Sequence, residues 1–115
     1  MASLANDLAT FKGRRVLITG HTGFKGAWLT HWLSTMGAKV IGLSLTPDTS
    51  PSLYQLLSLE RRCESRIGDI RDLATVRDTV RESEPDVVLH LAAQALVRAS
   101  YASPVATFST NVMGT

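Results

Sequence analysis

A chain of 115 residues, 44% hydrophobic and 19% charged, has the balance of one small globular domain and not of a disordered segment. The net charge is +2, and basic residues cluster only locally, as in Lys12-Gly13-Arg14-Arg15, with no interleaved aromatics; this argues against a nucleic-acid partner. No apolar run reaches the ~20 residues of a membrane span, no secretory leader is visible, and three histidines without a cysteine at ligand spacing argue against a metal site. The single cysteine, Cys63, makes no internal disulfide and fits a reducing, cytoplasmic setting.

Short β-branched runs alternate with stretches of helical period, which predicts a parallel sheet with crossover helices. The first strand is Arg15 to Thr19, apolar in its middle as a strand covered on both faces should be, and Gly20 ends it. A helix from about Gly23 to Met36 follows, with Leu29, Trp32, Leu33 and Met36 on one apolar face. Lys39 to Ser44 is the second strand, Thr46 to Pro51 a loop, and Ser52 to about Arg62 a short helix with Leu53, Leu56 and Leu57 inward. Glu64 to Ile67 is a weak third strand. Asp72 caps a helix that turns Leu73, Val76 and Val80 inward and stops before Pro85. Asp86 to Ala93 is the fourth strand. Ser103 and Pro104 open a last helix that buries Val105, Phe108 and Val112.

The right-handed crossover rule gives these strands the order 3-2-1-4, a Rossmann-type doubly wound α/β sheet. The fourth strand is apolar, yet no element remains to pair its outer edge. Either a partner covers that edge, which points to a homo-oligomer, or the chain is the front part of a longer, here truncated, sheet.

The strongest chemical signal is Thr19-Gly20-His21-Thr22-Gly23-Phe24-Lys25-Gly26, directly after a strand and opening a helix. Gly20 permits a tight turn, Gly23 lets backbone approach a diphosphate, and Gly26 lets helix pack close to strand. The helix start then offers free N–H groups and its positive dipole end to phosphate. Thr22 reads equally as a helix cap or a phosphate donor, and Lys25 as a phosphate contact or a solvated lysine. His21 reads as a turn residue before a catalyst.

The second strand ends without the carboxylate that usually holds an adenosine ribose, and without an arginine for a 2′-phosphate. Ser44 or Thr46 is the remaining ribose contact, with NAD favoured over NADP. Asp48 lies in what reads first as a turn. Asp69 and Ile70 close the third strand, where a carboxylate can accept from the adenine amino group. The small residues of Leu91-Ala92-Ala93 either admit a ribose to the backbone or serve helix packing.

Four motifs in order, Thr19-Gly20 through Gly26, Asp69-Ile70, His90-Leu91-Ala92-Ala93 and Thr110-Asn111-Val112-Met113-Gly114-Thr115, resemble the extended short-chain dehydrogenase/reductase (NAD-dependent epimerase/dehydratase) family from Phe11 onward. Within it the wording is most similar to the branch that dehydrates nucleotide-linked sugars, with CDP-glucose as the implied substrate. The resemblance implies bound NAD, with Gly20, Thr22, Gly23, Phe24, Lys25 and Gly26 at the diphosphate and Asp69 and Ile70 at adenine. It places Leu91, Ala92, Ala93, Gln94 and Thr110 on the nicotinamide side, Asn111 in a supporting role, and Arg98, Ser100 and Tyr101 near the sugar nucleotide. The family's Tyr-x-x-x-Lys pair is missing: Tyr54 is followed four residues on by Ser58, and Tyr101 by Val105. These 115 residues are therefore expected to be a cofactor-binding front portion without catalytic activity of its own. An epimerase or reductase of the same family, or a non-catalytic dinucleotide-binding module, are the other readings.

Overall fold

The computed structural model describes residues 11–46, 52–93 and 97–115. Four strands, β1 (Arg15–Thr19), β2 (Lys39–Ser44), β3 (Glu64–Ile67) and β4 (Val87–His90), form one all-parallel sheet in the order β3-β2-β1-β4. The expected order and strand positions hold, although β4 is shorter than the stretch read for it. The register aligns Thr19 with Leu43 and His90, so the glycine turn after β1 sits between the ends of its two neighbours.

Alternation along the central strands sends side chains to two cores. Val16, Ile18 and Val40 pack with Leu33 of helix α1 (Phe24–Thr35) on one face. Leu17, Ile41 and Leu43 pack on the other, against Val76 of α3 (Leu73–Ser83). The central strands β1 and β2 are thus covered on both faces, as their apolar runs require, whereas β4 leaves Val88 52% exposed.

The helix faces differ from those the periodicity predicts. Helix α1 buries Gly26, Ala27, Thr30 and Leu33, a stripe of mostly small residues that lets the helix lie close to the sheet, while Trp32 is left 52% exposed. Leu29 and Met36 do reach the core. Helix α3 buries Thr79 and Ser83 and leaves Leu73 and Val80 exposed. Burial of the two hydroxyls costs little because each donates to a carbonyl one turn back, Thr79 Oγ1 to Thr75 O at 2.8 Å and Ser83 Oγ to Thr79 O at 2.6 Å.

The single helix expected over 52–62 is two pieces. Ser58 takes a left-handed conformation (φ 52°) that ends α2 (Leu53–Leu56) and starts a 3₁₀ turn (Leu59–Arg61). Leu59 is the fully buried residue there, and Leu56 is exposed. Near the end, α4 (Val97–Ala102) occupies a stretch given no element from sequence, and α5 (Pro104–Phe108) passes into a π-helical turn (Ser109–Met113). Ser103 makes no side-chain cap, and Val105, Phe108 and Val112 are exposed, because no described element packs on that face. The loop at 47–51, with Asp48, lies outside the described residues.

Candidate functional site

The candidate residues gather where the strands end, at Thr19, Ser44, Ile67 and His90. Gly20 has a positive φ of 82°, and a Cβ there would lie 2.8 Å from the Ala92 nitrogen, so the ends of β1 and β4 touch backbone to backbone. At Gly26 a Cβ would lie 2.0 Å from the Gly20 carbonyl oxygen, so this glycine closes the turn onto the helix. Gly23 is different. Its backbone is extended (φ −77°, ψ 172°), and a Cβ would meet only the Gly20 oxygen at 3.4 Å. Nothing inside the described chain requires glycine at 23, which leaves approach by an outside group as the physical reason for it.

The start of α1 points the same way. Gly23 caps it with no side chain, and no acidic residue lies in the first turn. The first-turn amides therefore face outward without a capping oxygen, and Lys25 adds positive charge to the positive end of the helix dipole. An anion is what this end lacks. Phe24 is exposed beside it.

Proton counting removes one proposed donor. The Thr22 hydroxyl lies 2.8 Å from the Leu45 carbonyl and 2.7 Å from Ser44 Oγ, and a carbonyl can only accept. The Thr22 proton therefore goes to Leu45 O, and Ser44 donates to Thr22. Both hydroxyls tie the glycine turn to the end of β2. Thr22 keeps only its backbone N–H for a phosphate, and Ser44 presents lone pairs, which suit a ribose hydroxyl and not a 2′-phosphate. Thr46 is exposed at the same strand end.

His21 is fully buried. Its Nε2 lies 2.7 Å from Ser65 Oγ on β3, its ring meets Tyr54 edge-on, and a Cβ on Gly42 would collide with it. Burial pushes the imidazole down to about 4, only partly offset by the Leu43 backbone, and Nδ1 makes no formed hydrogen bond. The residue is a structural pin for the turn, in keeping with its reading as a turn residue.

Past β3, Asp69 is held by Arg71. The guanidinium Nε and Nη2 donate to its oxygens at 2.6–3.1 Å, and the Arg71 backbone N–H donates at 2.9 Å. These bonds hold the Asp69 carboxyl below the usual carboxylate range and occupy both oxygens. Ile70 is buried, and Gly114 of the terminal segment lies against it. Asp72 caps α3, accepting from the Ala74 and Thr75 amides.

Past β4, Leu91 and Ala93 are exposed and Ala92 is half-buried beside Gly20. Thr110 and Asn111 sit in the π-helical turn, a feature often found at functional positions. Ser100 is half-buried and Tyr101 exposed on α4, and Arg98 belongs to the same helix. Gln94 lies outside the described residues. The sequence reading missed Thr19 and His90, which link the ends of β1 and β4 through a 2.6 Å hydrogen bond; the signal was present in the His-x-Ala-Ala pattern, read only for its small residues. A cleft of about 410 Å³ lies at the opposite end of the sheet around Arg15, Lys39 and Arg61. Its lining holds none of the candidate residues, and the glycine turn is an open groove.

The family model for GDP-mannose 4,6-dehydratase matches residues 17–115. CDP-glucose 4,6-dehydratase of Salmonella typhimurium is 53% identical over 109 residues, covering 95% of this chain and 30% of that protein. A dTDP-glucose 4,6-dehydratase of Xanthomonas campestris is 36% identical, covering 86% of this chain and 28% of that one. The chain thus spans about 30% of the length of the curated relatives it matches. Among solved structures, an epimerase from Methanothermobacter thermautotrophicus superposes with a TM-score of 0.82 at 30% identity, over 98% of this chain and 33% of that one. UDP-glucose 4-epimerase from Stenotrophomonas maltophila, solved with bound NAD, gives 0.72 at 26% identity, over 88% of this chain and 31% of its own.

Proposed function

The chain belongs to the GDP-mannose 4,6-dehydratase family, and from that membership we propose that it is the NAD-binding front portion of a CDP-glucose 4,6-dehydratase. The choice of nucleotide rests on the gap in likeness: 53% identity to a CDP-glucose enzyme against 31% to a GDP-mannose enzyme of Vibrio cholerae. An epimerase is the second reading, favoured by the solved structures the chain superposes on. The single observation that carries dinucleotide binding is the uncapped, acid-free start of α1 beside a Gly23 that the fold itself does not require.

In this reading the amides of Thr22, Phe24, Lys25 and Gly26 and the Lys25 ammonium hold the diphosphate, across Gly20 and Gly23, whose own N–H is taken by the Gly20 carbonyl at 3.1 Å. Ser44 accepts from the adenosine ribose, which favours NAD over NADP. Ile70 borders adenine, and Asp69 reaches it once Arg71 swings aside. Leu91, Ala92, Ala93, Gln94 and Thr110 line the nicotinamide half, Asn111 supports it, and Arg98, Ser100 and Tyr101 approach the sugar nucleotide. Bound NAD supplies hydride acceptance and return; the chain's own residues bind, orient and exclude water. Neither tyrosine has lysine four residues on, so the acid–base pair is supplied from outside these 115 residues. The product, a CDP-linked 4-keto-6-deoxy sugar, feeds deoxysugar assembly for surface polysaccharide in the cytoplasm, and the enzyme works as a homo-oligomer, with the β4 edge covered by the rest of the longer sheet. Among the described residues no helix is long and apolar enough to cross a membrane.

Incubating the full-length protein with CDP-glucose and NAD tests the reaction: a product lighter by one water supports a dehydratase, and an isomer of unchanged mass supports the epimerase. Calorimetric titration of NAD tests the site. Gly23→Val should abolish binding while the fold persists, and unchanged affinity would overturn the phosphate assignment.

A further inference from the structure

The hydroxyl of Thr19 stands at the meeting point of two strand ends. Its Oγ1 accepts from the Leu91 amide at 3.1 Å, shared with the Thr19 carbonyl, and from the Ala92 amide at 3.2 Å. It also lies 2.6 Å from His90 Nδ1. A hydroxyl has one proton and two lone pairs. Two backbone donors fill the lone pairs, so the remaining contact must carry the Thr19 proton to His90. Nδ1 is then the acceptor, and a neutral ring places its proton on Nε2. That nitrogen faces Thr115 Oγ1 at 3.4 Å, and Thr115 donates in turn to the Asn111 carbonyl at 2.7 Å. Every step has the same polarity, from the Leu91 and Ala92 amides through Thr19, His90 and Thr115 to Asn111. With the opposite tautomer, Oγ1 would face three donors and the Thr19 proton would have nowhere to go.

We propose that His90 is a positioning residue, locked as its Nε2–H tautomer, that ties the ends of β1 and β4 to the terminal π-helical turn and so fixes the floor of the groove. The inference rests on reading that groove as the dinucleotide site. Its consequence is geometric. Gly20 already touches Ala92, so a shift of the β4 end by even a few tenths of an ångström moves the nicotinamide side relative to the glycine turn. The chain of bonds also reaches the π-helical turn that carries Thr110 and Asn111, so both walls of the groove are referenced to one imidazole.

The test uses full-length protein with ¹⁵N-labelled histidine at a pH above the ordinary imidazole range, with and without NAD. The His90 signals, assigned by their loss in His90→Asn, should show an unprotonated Nδ1 and a protonated Nε2 in both states. A protonated Nδ1, or rapid exchange between tautomers, would overturn the proposal; the protonation state itself is read on the wild-type protein, and should His90→Asn not fold, the assignment is made from through-bond correlations to the His90 backbone. Two variants then separate positioning from packing. In His90→Asn, Oδ1 stands where Nδ1 stood and still accepts from Thr19; in His90→Gln, the amide matches Nε2 and leaves Thr19 unpaired. NAD affinity should hold within about threefold in the first and fall about tenfold in the second, the scale of one lost hydrogen bond. Equal losses, or none in either, would count against the role. Failure of the wild-type protein to bind NAD would instead sink the site assignment and leave the tautomer result standing.

Discussion

Helices α1 and α3 begin in opposite ways although both follow a parallel strand of the same sheet. The α3 start is complete: Asp72 accepts from the Ala74 and Thr75 amides, and hydrogen bonds from Thr75 and those amides hold its carboxyl below the usual range. The α1 start has a glycine where the cap should be, no first-turn acid, and a lysine where the dipole disfavours one. One end satisfies its own backbone; the other leaves its amides to be met from outside, which is the basis of the proposed diphosphate site. A protein keeps such an end when the ligand supplies what the sequence withholds.

The comparison can be broken most severely at Gly26. Gly26→Val drives a side chain into the Gly20 carbonyl and should cost about 3 kcal/mol or more, or prevent folding, whereas Gly23→Val should leave the unfolding midpoint nearly unchanged. Matching midpoints for the two variants would show that the turn is not packed as described.

The next effect is on pH. His21 has a folded pKa of about 4 against 6.5 when unfolded, so below 6.5 the unfolded chain binds the extra proton. Stability is full above that value and falls as pH drops from 6.5 toward 4, by about 3 kcal/mol in all. Denaturant titrations across this window check it, and a flat profile would mean that the ring is hydrated. His21→Asn should remove most of the slope.

Capping sharpens the contrast further. Gly23→Asp gives α1 the cap that α3 already has; it should raise the thermal midpoint of the cofactor-free protein by a few degrees and weaken NAD binding at least tenfold through charge repulsion. A tighter complex would overturn the anion reading. The mirror change, Asp72→Ala, should lower the midpoint by a few degrees and leave NAD affinity alone. The smallest effect belongs to Arg71→Ala, which frees the Asp69 carboxylate and should tighten binding of the adenosine half by less than tenfold, as read by titration with AMP.

Much of the frame was legible because its signals are local. The runs Arg15–Thr19, Lys39–Ser44 and Glu64–Ile67 stop at Gly20, Leu45 and Gly68 in the structure as in the sequence, and the three glycines fall between β1 and α1 as their spacing implied. The site's inner wiring was not. Thr22 had two equal readings until Leu45 O and Ser44 Oγ fixed where its proton goes, and Asp69 read as open until Arg71 closed on it. Such hydroxyl and carboxylate partners lie on different strands, or across a turn whose course the spacing does not specify.

The sequence by itself determined the strands, their parallel order and the tight glycine turn between strand and helix, because apolar runs, glycine positions and crossover handedness are properties of short segments and chirality. Only the tertiary structure decided which stripe of each helix is buried and which hydroxyl speaks to which histidine. The exposed Trp32, the buried Ser83 and the Thr19–His90 bond depend on how closely a helix or strand end can approach the sheet. That approach is set by small side chains and satisfied protons over the whole packed body, not by the hydrophobic count of any one segment.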